Sequence, residues 1–264
     1  MMNTQRSRKL NTPHRGMTLV EFMVAITIGV MFLLAMGALF LSFKRTSQSQ
    51  SGIAQLQDDQ RMAMTILSQI IQSAGYFPNQ ASSTLSAALP SDSTTISGVS
   101  FSAGQMLQGA AGSASSVPDT LYIRYQTAQN DGVINCQGGS NASAGTMVYI
   151  NQLSVASSTL QMTCGLNGAA AVGLIGGVNA SASASTPCTK VGYLGISNIK
   201  FLYGMDVSGS GSVTQYASAG AVTNWANVYS VQSTITQLYC AQQGALPQSI
   251  SFSRIVFLPN QAGS

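Results

Sequence analysis

A single carboxylate, that of Glu21, stands at the start of a run of 22 uncharged residues that extends from Phe22 to Phe43. A carboxylate at the edge of an apolar segment is costly unless it reaches water or a positively charged partner. Cleavage after Gly16 would create such a partner, because the new α-amino group of Met17 would lie four residues before Glu21. The spacing therefore predicts pairing of this carboxylate with a terminal amine, within one chain or between neighbouring chains.

Residues that could support catalysis are scarce. The only histidine, His14, lies among the first 16 residues, and the sequence after residue 75 contains no glutamate. Without His14 the chain has neither a Ser-His-Asp triad nor a histidine-ligated metal. The glycine clusters lie in Ser/Ala-rich segments, which are not the setting of a phosphate-binding loop. We therefore expect no enzymatic activity and no cofactor. The acids that remain after residue 75 are Asp92, Asp119, Asp131 and Asp206.

Four cysteines, Cys136, Cys164, Cys188 and Cys240, are all in the C-terminal part of the chain. In an oxidising compartment they are expected to form two disulfides. Sequence leaves three connectivities open. We favour Cys136–Cys164, which would join a pair of strands, and Cys188–Cys240, which would tie a late loop to a long insertion. Zinc binding is the alternative, but no two cysteines have the close spacing of a zinc site.

Charge is concentrated in the first 15 residues, which hold four of the 11 Lys and Arg residues and no acid. The other residues carry seven basic and seven acidic groups, so the pI near 9.0 reports a targeting segment. Only 7% of all residues are charged, against roughly a quarter in ordinary soluble domains. Four cations after residue 75 are too few to neutralise many phosphates, so we expect no specific nucleic-acid binding. They are Arg124, Lys190, Lys200 and Arg254.

Four segments must position these groups. Residues 1–16 are predicted to be a cleaved leader, and residues 17–43 to be an apolar helix, in which the uncharged run alone spans about 33 Å, enough to cross a bilayer. Residues 44–75 continue the helix with an apolar stripe on one face, which we expect to pack against a head. Gly75 and Pro78 predict the end of the helix near Ala74. Residues 76–264 form the predicted head. The stripe comprises Ile53, Leu56, Ala63, Leu67, Ile70 and Ala74.

The head alternates short runs of β-formers with Gly/Ser-rich breaks, which predicts a mainly antiparallel sheet. A long amphipathic helix packed on such a sheet gives an α+β fold. Residues 82–116, 165–186 and 208–221 are predicted to be loops. The expected strands are Thr120–Tyr125, Thr146–Ile150, Thr159–Met162, Ile199–Tyr203, Val228–Ile235 and Ile250–Phe257.

The segment Arg15-Gly16-Met17-Thr18-Leu19-Val20-Glu21, followed by a long apolar helix, resembles the leader of type IV prepilins and pseudopilins. This resemblance implies a type IV pilin-like fold and cleavage after Gly16 by a prepilin peptidase. It also implies N-methylation of Met17, although phenylalanine is commoner at this position in the family. Glu21 would be the assembly glutamate, which neutralises the terminal amine of a neighbouring subunit.

Later segments are similar to minor pilins of the PilW type. The segments are Leu202-Tyr203-Gly204-Met205-Asp206, Tyr216, Trp225-Ala226-Asn227-Val228, Ala74-Gly75-Tyr76-Phe77 and Ile255-Val256-Phe257-Leu258-Pro259-Asn260. Relatives often carry acids after the Tyr-Gly-x-Asp turn, but this chain has a Ser/Gly run at residues 208–212, so no calcium loop is expected there.

The resemblance implies a minor pilin that acts near the pilus tip in assembly, and hence in twitching motility, adhesion or DNA uptake. Its partners would be the bacterial inner membrane, other minor pilins, the major pilin and a tip adhesin, with a periplasmic head before assembly and a cell-surface location afterwards. Two alternatives stay open. One is a minor pseudopilin of a type II secretion system, and the other is a tip-located adhesin or receptor-binding module.

Overall fold

The computed structural model describes residues 16–177 and 184–261. The first helix, α1, extends from Leu19 to Gln72. The chain separates into two units between Ser47 and Gln48, so that α1 contributes its first part to an anchor unit and its second part to a head unit. Residues 1–15 of the predicted leader lie outside the described residues.

The anchor unit consists of α1 residues whose apolar side chains are exposed. Every residue in its most apolar 18-residue window is exposed, and α1 is long and apolar enough to cross a membrane by length and composition. A helix that is apolar on all sides cannot be stable in water alone, so these side chains require lipid or other helices as their environment. The uncharged run predicted from Phe22 to Phe43 lies wholly within this helix.

The head unit contains two antiparallel sheets. The first has the strand order β1-β2-β3-β4-β5, and the second has the order β7-β6-β8-β9. A four-residue helix, α2 (Leu85–Ala88), precedes the first sheet, and short 3-10 turns at Ala219–Ala221 and Trp225–Asn227 precede β8. The strands are β1 (Leu107–Ala110), β2 (Thr120–Ala128), β3 (Thr146–Ala156), β4 (Gln161–Leu166), β5 (Val172–Gly176), β6 (Gly192–Met205), β7 (Gln215–Ala217), β8 (Val228–Cys240) and β9 (Gln248–Phe257).

One hydrophobic core joins the second part of α1 to both sheets. Leu67 and Ile71 of the helix are buried in the same cluster as Leu121 of the first sheet and Phe201 of the second. Strand alternation supplies the sheet side on β2, where Leu121, Ile123 and Tyr125 all belong to this cluster. Burial of this apolar surface is the main term that stabilises the head.

The apolar stripe on α1 begins one residue earlier than predicted. Ile53 is 44% exposed, so its assignment to the core was wrong. Gly52 faces the head instead, and a β-carbon on Gly52 would lie 2.7 Å from the α-carbon of Gly192. Close approach of two backbones selects glycine at this point. The rest of the predicted stripe is buried: Leu56, Ala63, Leu67, Ile70 and Ala74.

The end of α1 is fixed by hydrogen bonds to the head. Gly75 has a φ of 70°, as its predicted role in ending the helix requires. Its N–H donates to the carbonyl of Arg124 on β2, and the side chain of Asn260 donates to the carbonyl of Ala74. These bonds satisfy groups that a helix end would otherwise leave unpaired.

All six predicted strands are present, and each differs in extent from its prediction by a few residues or more. Three short strands, β1, β5 and β7, were missed because they lie in segments predicted to be loops. The prediction of an α+β fold with a long helix on antiparallel sheet is confirmed. The division of the head into two sheets was not predicted.

Candidate processing and assembly site

The predicted cleavage site lies at the non-helical entry to α1. Gly16, Met17 and Thr18 precede the helix, and all three are exposed. Among the described residues, a β-carbon on Gly16 would meet no atom within 4 Å. The fold of the subunit therefore does not require glycine at position 16. Any requirement for glycine here must come from an enzyme that handles this segment.

Thr18 and Glu21 form a reciprocal cap at the start of α1. The carboxylate of Glu21 accepts from the backbone N–H of Thr18 at 3.1 Å, and the hydroxyl of Thr18 accepts from the backbone N–H of Glu21 at 3.3 Å. The carbonyl of Thr18 accepts the first helical hydrogen bond, from Phe22. This arrangement is a capping box, in which each side chain satisfies a donor that the helix leaves free.

The cap places the Glu21 carboxylate beside the position of the predicted new terminus. The carboxylate is bonded to Thr18, and Met17 is the residue directly before Thr18. Cleavage after Gly16 would convert the peptide nitrogen of Met17 into a cationic amine close to this carboxylate. The positive end of the helix dipole lies at the same place and also stabilises a negative charge there. The site can therefore neutralise an α-amine in an apolar environment, where an unpaired charge is costly.

The helix that follows offers an open apolar surface at two glycines. A β-carbon on Gly29 or Gly37 would meet no atom within 4 Å outside the neighbouring helix backbone. Glycine inside a helix costs about 1 kcal/mol relative to alanine. No contact in the described chain offsets that cost, so the small surface of these two glycines is available for packing against another helix.

Comparison with known families identifies this segment. The family model of the prokaryotic N-terminal methylation motif matches residues 11–37. The chain carries a prokaryotic N-terminal methylation motif. The motif includes the cap, Glu21 and both helix glycines, and it implies processing by a prepilin peptidase and assembly with other pilins. The match supports the predicted prepilin-type signal at the N-terminus, within residues 11–37.

A solved structure of a type IV-like pilin, TTHA1219 from Thermus thermophilus, is similar to this chain at 12% sequence identity and a TM-score of 0.40. The alignment covers 78% of this chain and 98% of that chain. No curated protein matches the chain. The assignment therefore rests on the methylation motif and on the geometry around Glu21.

In the head that follows the methylation motif, the four cysteines form two disulfides. Cys136 is bonded to Cys164 with α-carbons 6.1 Å apart, and Cys188 is bonded to Cys240 with α-carbons 5.8 Å apart. This is the pairing that the sequence analysis favoured. The first bond ties β4 to the loop after β2, and the second ties β8 to the segment before β6.

The aromatic residues that resemble PilW-type pilins come together on the second sheet. Tyr203 on β6 contacts Trp225 edge-on, with ring centroids 4.8 Å apart. Tyr216 on β7 lies over Gly204, and its hydroxyl is 3.1 Å from that of Ser230. Tyr203 is fully buried, and this burial raises the pKa of its hydroxyl well above the ordinary value. Packing contacts on the second sheet therefore account for these aromatic residues.

The Ser/Gly loop after Asp206 is closed by that carboxylate. Asp206 accepts hydrogen bonds from the backbone N–H groups of Ser208 and Gly211 and from the Ser208 hydroxyl. Burial raises the pKa of Asp206, but these hydrogen bonds outweigh it and lower the pKa to about 2. Within the described residues no three His, Cys, Asp or Glu side chains are grouped as a metal site.

Sequence reasoning missed two functional relationships. The Thr18-x-x-Glu21 pattern is a capping-box signature and could have been found from the sequence. The buried Asp119 could not, because two of its partners come from the other sheet: it accepts from Lys200 at 2.8 Å and from the backbone N–H of Phe201 at 3.0 Å. It also accepts from the N–H of Gly112. Asp119 thus links the start of β2 to β6.

Proposed function

We propose that the chain is a minor pilin of the PilW type, which acts in the assembly of a type IV pilus near its tip. The observation that carries this proposal is the methylation motif with Glu21 held at the start of an exposed apolar helix. Gly16 is the proposed cleavage residue, Met17 the N-methylated terminus and Glu21 the assembly glutamate. The amine neutralised by Glu21 belongs to a neighbouring subunit in the filament.

The helix provides the surface for this assembly. Its first part inserts in the inner membrane before assembly and in the filament core afterwards. In lipid, helices associate through close packing of small residues, and Gly29 and Gly37 supply such positions. Other minor pilins and the major pilin are the proposed neighbours, and a tip adhesin is a further one.

The composition of the head suits a subunit in contact with other subunits outside the cytoplasm. Few charged residues means little like-charge repulsion when heads are brought together. The two disulfides fit an oxidising compartment. The contact of Tyr203 with Trp225 supports the PilW subtype, because it gives the matching segments a common structural role.

A deletion strain tests the proposal and separates it from the alternatives. Surface pili, twitching motility, adhesion and the release of a type II-secreted enzyme are measured in the same cells. We expect the deletion to reduce pili and twitching motility, to leave secretion normal, and to be complemented by the wild-type chain but not by Glu21→Val. Normal pili with lost secretion would indicate a pseudopilin. Normal pili and secretion with lost adhesion would indicate a receptor-binding module.

A further inference from the structure

Strand β9 leaves one of its edges without a partner strand among residues 16–177 and 184–261. It has 10 residues, from Gln248 to Phe257, and β8 is its one partner in the described part of the chain. Nine of these residues are exposed or half-buried, and Val256 is the buried one. An edge strand of this length presents a row of free backbone donors and acceptors, which proteins usually cover or interrupt. No proline or bulge interrupts β9.

The register shows which backbone groups point outward. The N–H of Leu258 donates to the carbonyl of Tyr229, and the pairing of β9 with β8 continues without a shift from there. In an antiparallel pair, the backbone groups of successive residues point alternately toward and away from the partner. The even-numbered residues of β9 therefore bond to β8. The groups that point away belong to Ser249, Ser251, Ser253, Ile255 and Phe257.

A groove of about 300 Å³ follows this free edge. It is lined by Ser68 and Gln72 of α1 on one side and by the β9 residues from Arg254 to Phe257 on the other. Ile255 and Phe257 are 45% and 65% exposed. A strand added to β9 would lie in this groove and cover both apolar side chains, which would stabilise the added pair.

The charge of the groove determines which strand fits. Arg254 is exposed and has no acidic partner, since the ion pair within residues 16–177 and 184–261 joins Lys200 to Asp119. In self-pairing of two β9 strands centred on Ser253, two Arg254 side chains would lie diagonally on the same face, where like charges are destabilising. A different chain with a carboxylate near Arg254 avoids this repulsion.

We propose that β9 is a docking edge for an extended strand of another pilin subunit. That strand carries apolar residues opposite Ile255 and Phe257 and an acidic residue that pairs with Arg254. Backbone hydrogen bonds provide the attraction, and the side-chain pattern selects the partner. The inference rests on the proposed function, because the partner is another subunit of the same filament.

Proline at position 253 tests the docking edge directly. The N–H of Ser253 points outward, so proline there removes a donor that β8 does not use and places its ring toward an incoming strand. Ser253→Ala is the matched control, since both variants lose the Ser253–Thr234 hydroxyl contact at 2.7 Å. Full-length variants are expressed in the piliated strain, and sheared filaments are compared with membranes.

We expect Ser253→Ala to enter filaments like the wild type and Ser253→Pro to fall by about tenfold. Equal incorporation of the two variants would overturn the docking edge while leaving the proposed function intact. Absence of the wild-type chain from filaments would instead overturn the proposed function, and the inference with it.

Hydrogen exchange of the wild-type chain decides the question without any variant that could misfold. We expect peptides covering residues 249–257 to exchange rapidly in the detergent-solubilised full chain and slowly in the filament-tip fraction. Equal exchange in both samples would contradict the docking edge. A wild-type chain that is a dimer in detergent, with Ser253→Pro a monomer, would show that the occupant is a second copy and would overturn the proposed partner.

Discussion

The Glu21 carboxylate accepts a hydrogen bond from the backbone N–H of Thr18, and the Thr18 hydroxyl accepts one from the N–H of Glu21. In the unassembled subunit the carboxylate is thus held at the first turn of α1, next to the residue proposed to become the terminus. A negative charge that is already positioned loses less side-chain freedom when it meets a cationic amine. Capping and assembly would then use the same carboxylate.

Substitutions at Glu21 and Thr18 separate these two roles. Glu21→Gln keeps a side chain that can accept from Thr18 but removes the charge, whereas Thr18→Val removes the hydroxyl half of the cap and keeps both the charge and the backbone N–H that holds the carboxylate. We expect Glu21→Gln and Glu21→Val to be processed but depleted from filaments by about tenfold or more. Thr18→Val should be incorporated normally, because its loss of about 1 kcal/mol affects only the helix end.

The ratio of filament-bound to membrane-bound chain, measured by quantitative immunoblot, checks this expectation. Normal incorporation of Glu21→Gln would show that the charge is not needed. A depletion of Thr18→Val equal to that of Glu21→Gln would assign the effect to the helix cap.

Gly16→Val tests the cleavage site without disturbing the fold. Open space surrounds Gly16, so the substitution should alter recognition by the peptidase and leave the helix unchanged. We expect the intact mass of the variant to retain residues 1–16. Gly29→Val is the matched control, because its surroundings are equally open, and it should be cleaved normally. Removal of the leader from Gly16→Val would refute the assignment.

Local sequence patterns predicted α1 and its end. The features that were missed depend on contacts between residues far apart in the sequence. Gly75 could be predicted as the end of α1, because glycine readily adopts the left-handed conformation that ends a helix and Pro78 follows closely. Ile53 was misassigned because the close approach of Gly52 to Gly192 depends on a residue 140 positions away. Strand β7 has three residues, and its Tyr216 lies over Gly204 of β6. No local pattern reports such a contact.

The same distinction applies to the candidate site. Gly16, Met17 and Glu21 could be proposed from spacing, because a short helical segment fixes their relationship. The link of Asp119 to Phe201 arises only when two sheets pack together, and the pairing of β6 with β8 that creates the second sheet is set by tertiary contacts. Sequence reasoning could count the acids but could not assign Asp119 to a sheet-to-sheet contact.

Loss of either disulfide should weaken the head by a similar amount. The bonds close loops of 28 and 52 residues in sequence separation. By the loop-entropy relation, removing each by double Cys→Ser substitution should reduce the free energy of unfolding by about 3–4 kcal/mol. Thermal unfolding measures the loss, and non-reducing peptide mapping shows the connectivity. A peptide that links Cys136 to Cys188 would contradict the pairing.

Asp119→Ala should destabilise the head by about 2–4 kcal/mol, because it leaves the backbone N–H groups of Gly112 and Phe201 without their acceptor. Lys200→Ala is the control that removes the partly exposed ion pair, together with the exposed hydrogen bonds of Lys200 to the carbonyls of Ala114 and Val117, and keeps the Asp119 carboxylate; it should cost about 1 kcal/mol or less. Denaturant unfolding compares the variants. Equal losses would mean that the ion pair, and not the backbone contacts, carries the link.

The loop closed by Asp206 should open only in strong acid. The pKa of Asp206 is lowered from 3.8 to about 2 in the folded chain, so its contribution is present above pH 3.8 and is lost as the pH falls through about 2. The amide resonance of Gly211 in a glycine-labelled chain reports this change. A midpoint near pH 4 would show that the hydrogen bonds do not hold, and Asp206→Asn should abolish the titration.

The central claim is most directly tested by mass spectrometry of N-terminal peptides from sheared surface filaments and from membranes of the same cells. The proposal predicts a peptide that begins at N-methylated Met17 in the filament fraction. The same peptide in membranes alone would favour a secretion pseudopilin. An intact leader in every fraction would contradict the pilin assignment and leave an ordinary membrane anchor in its place.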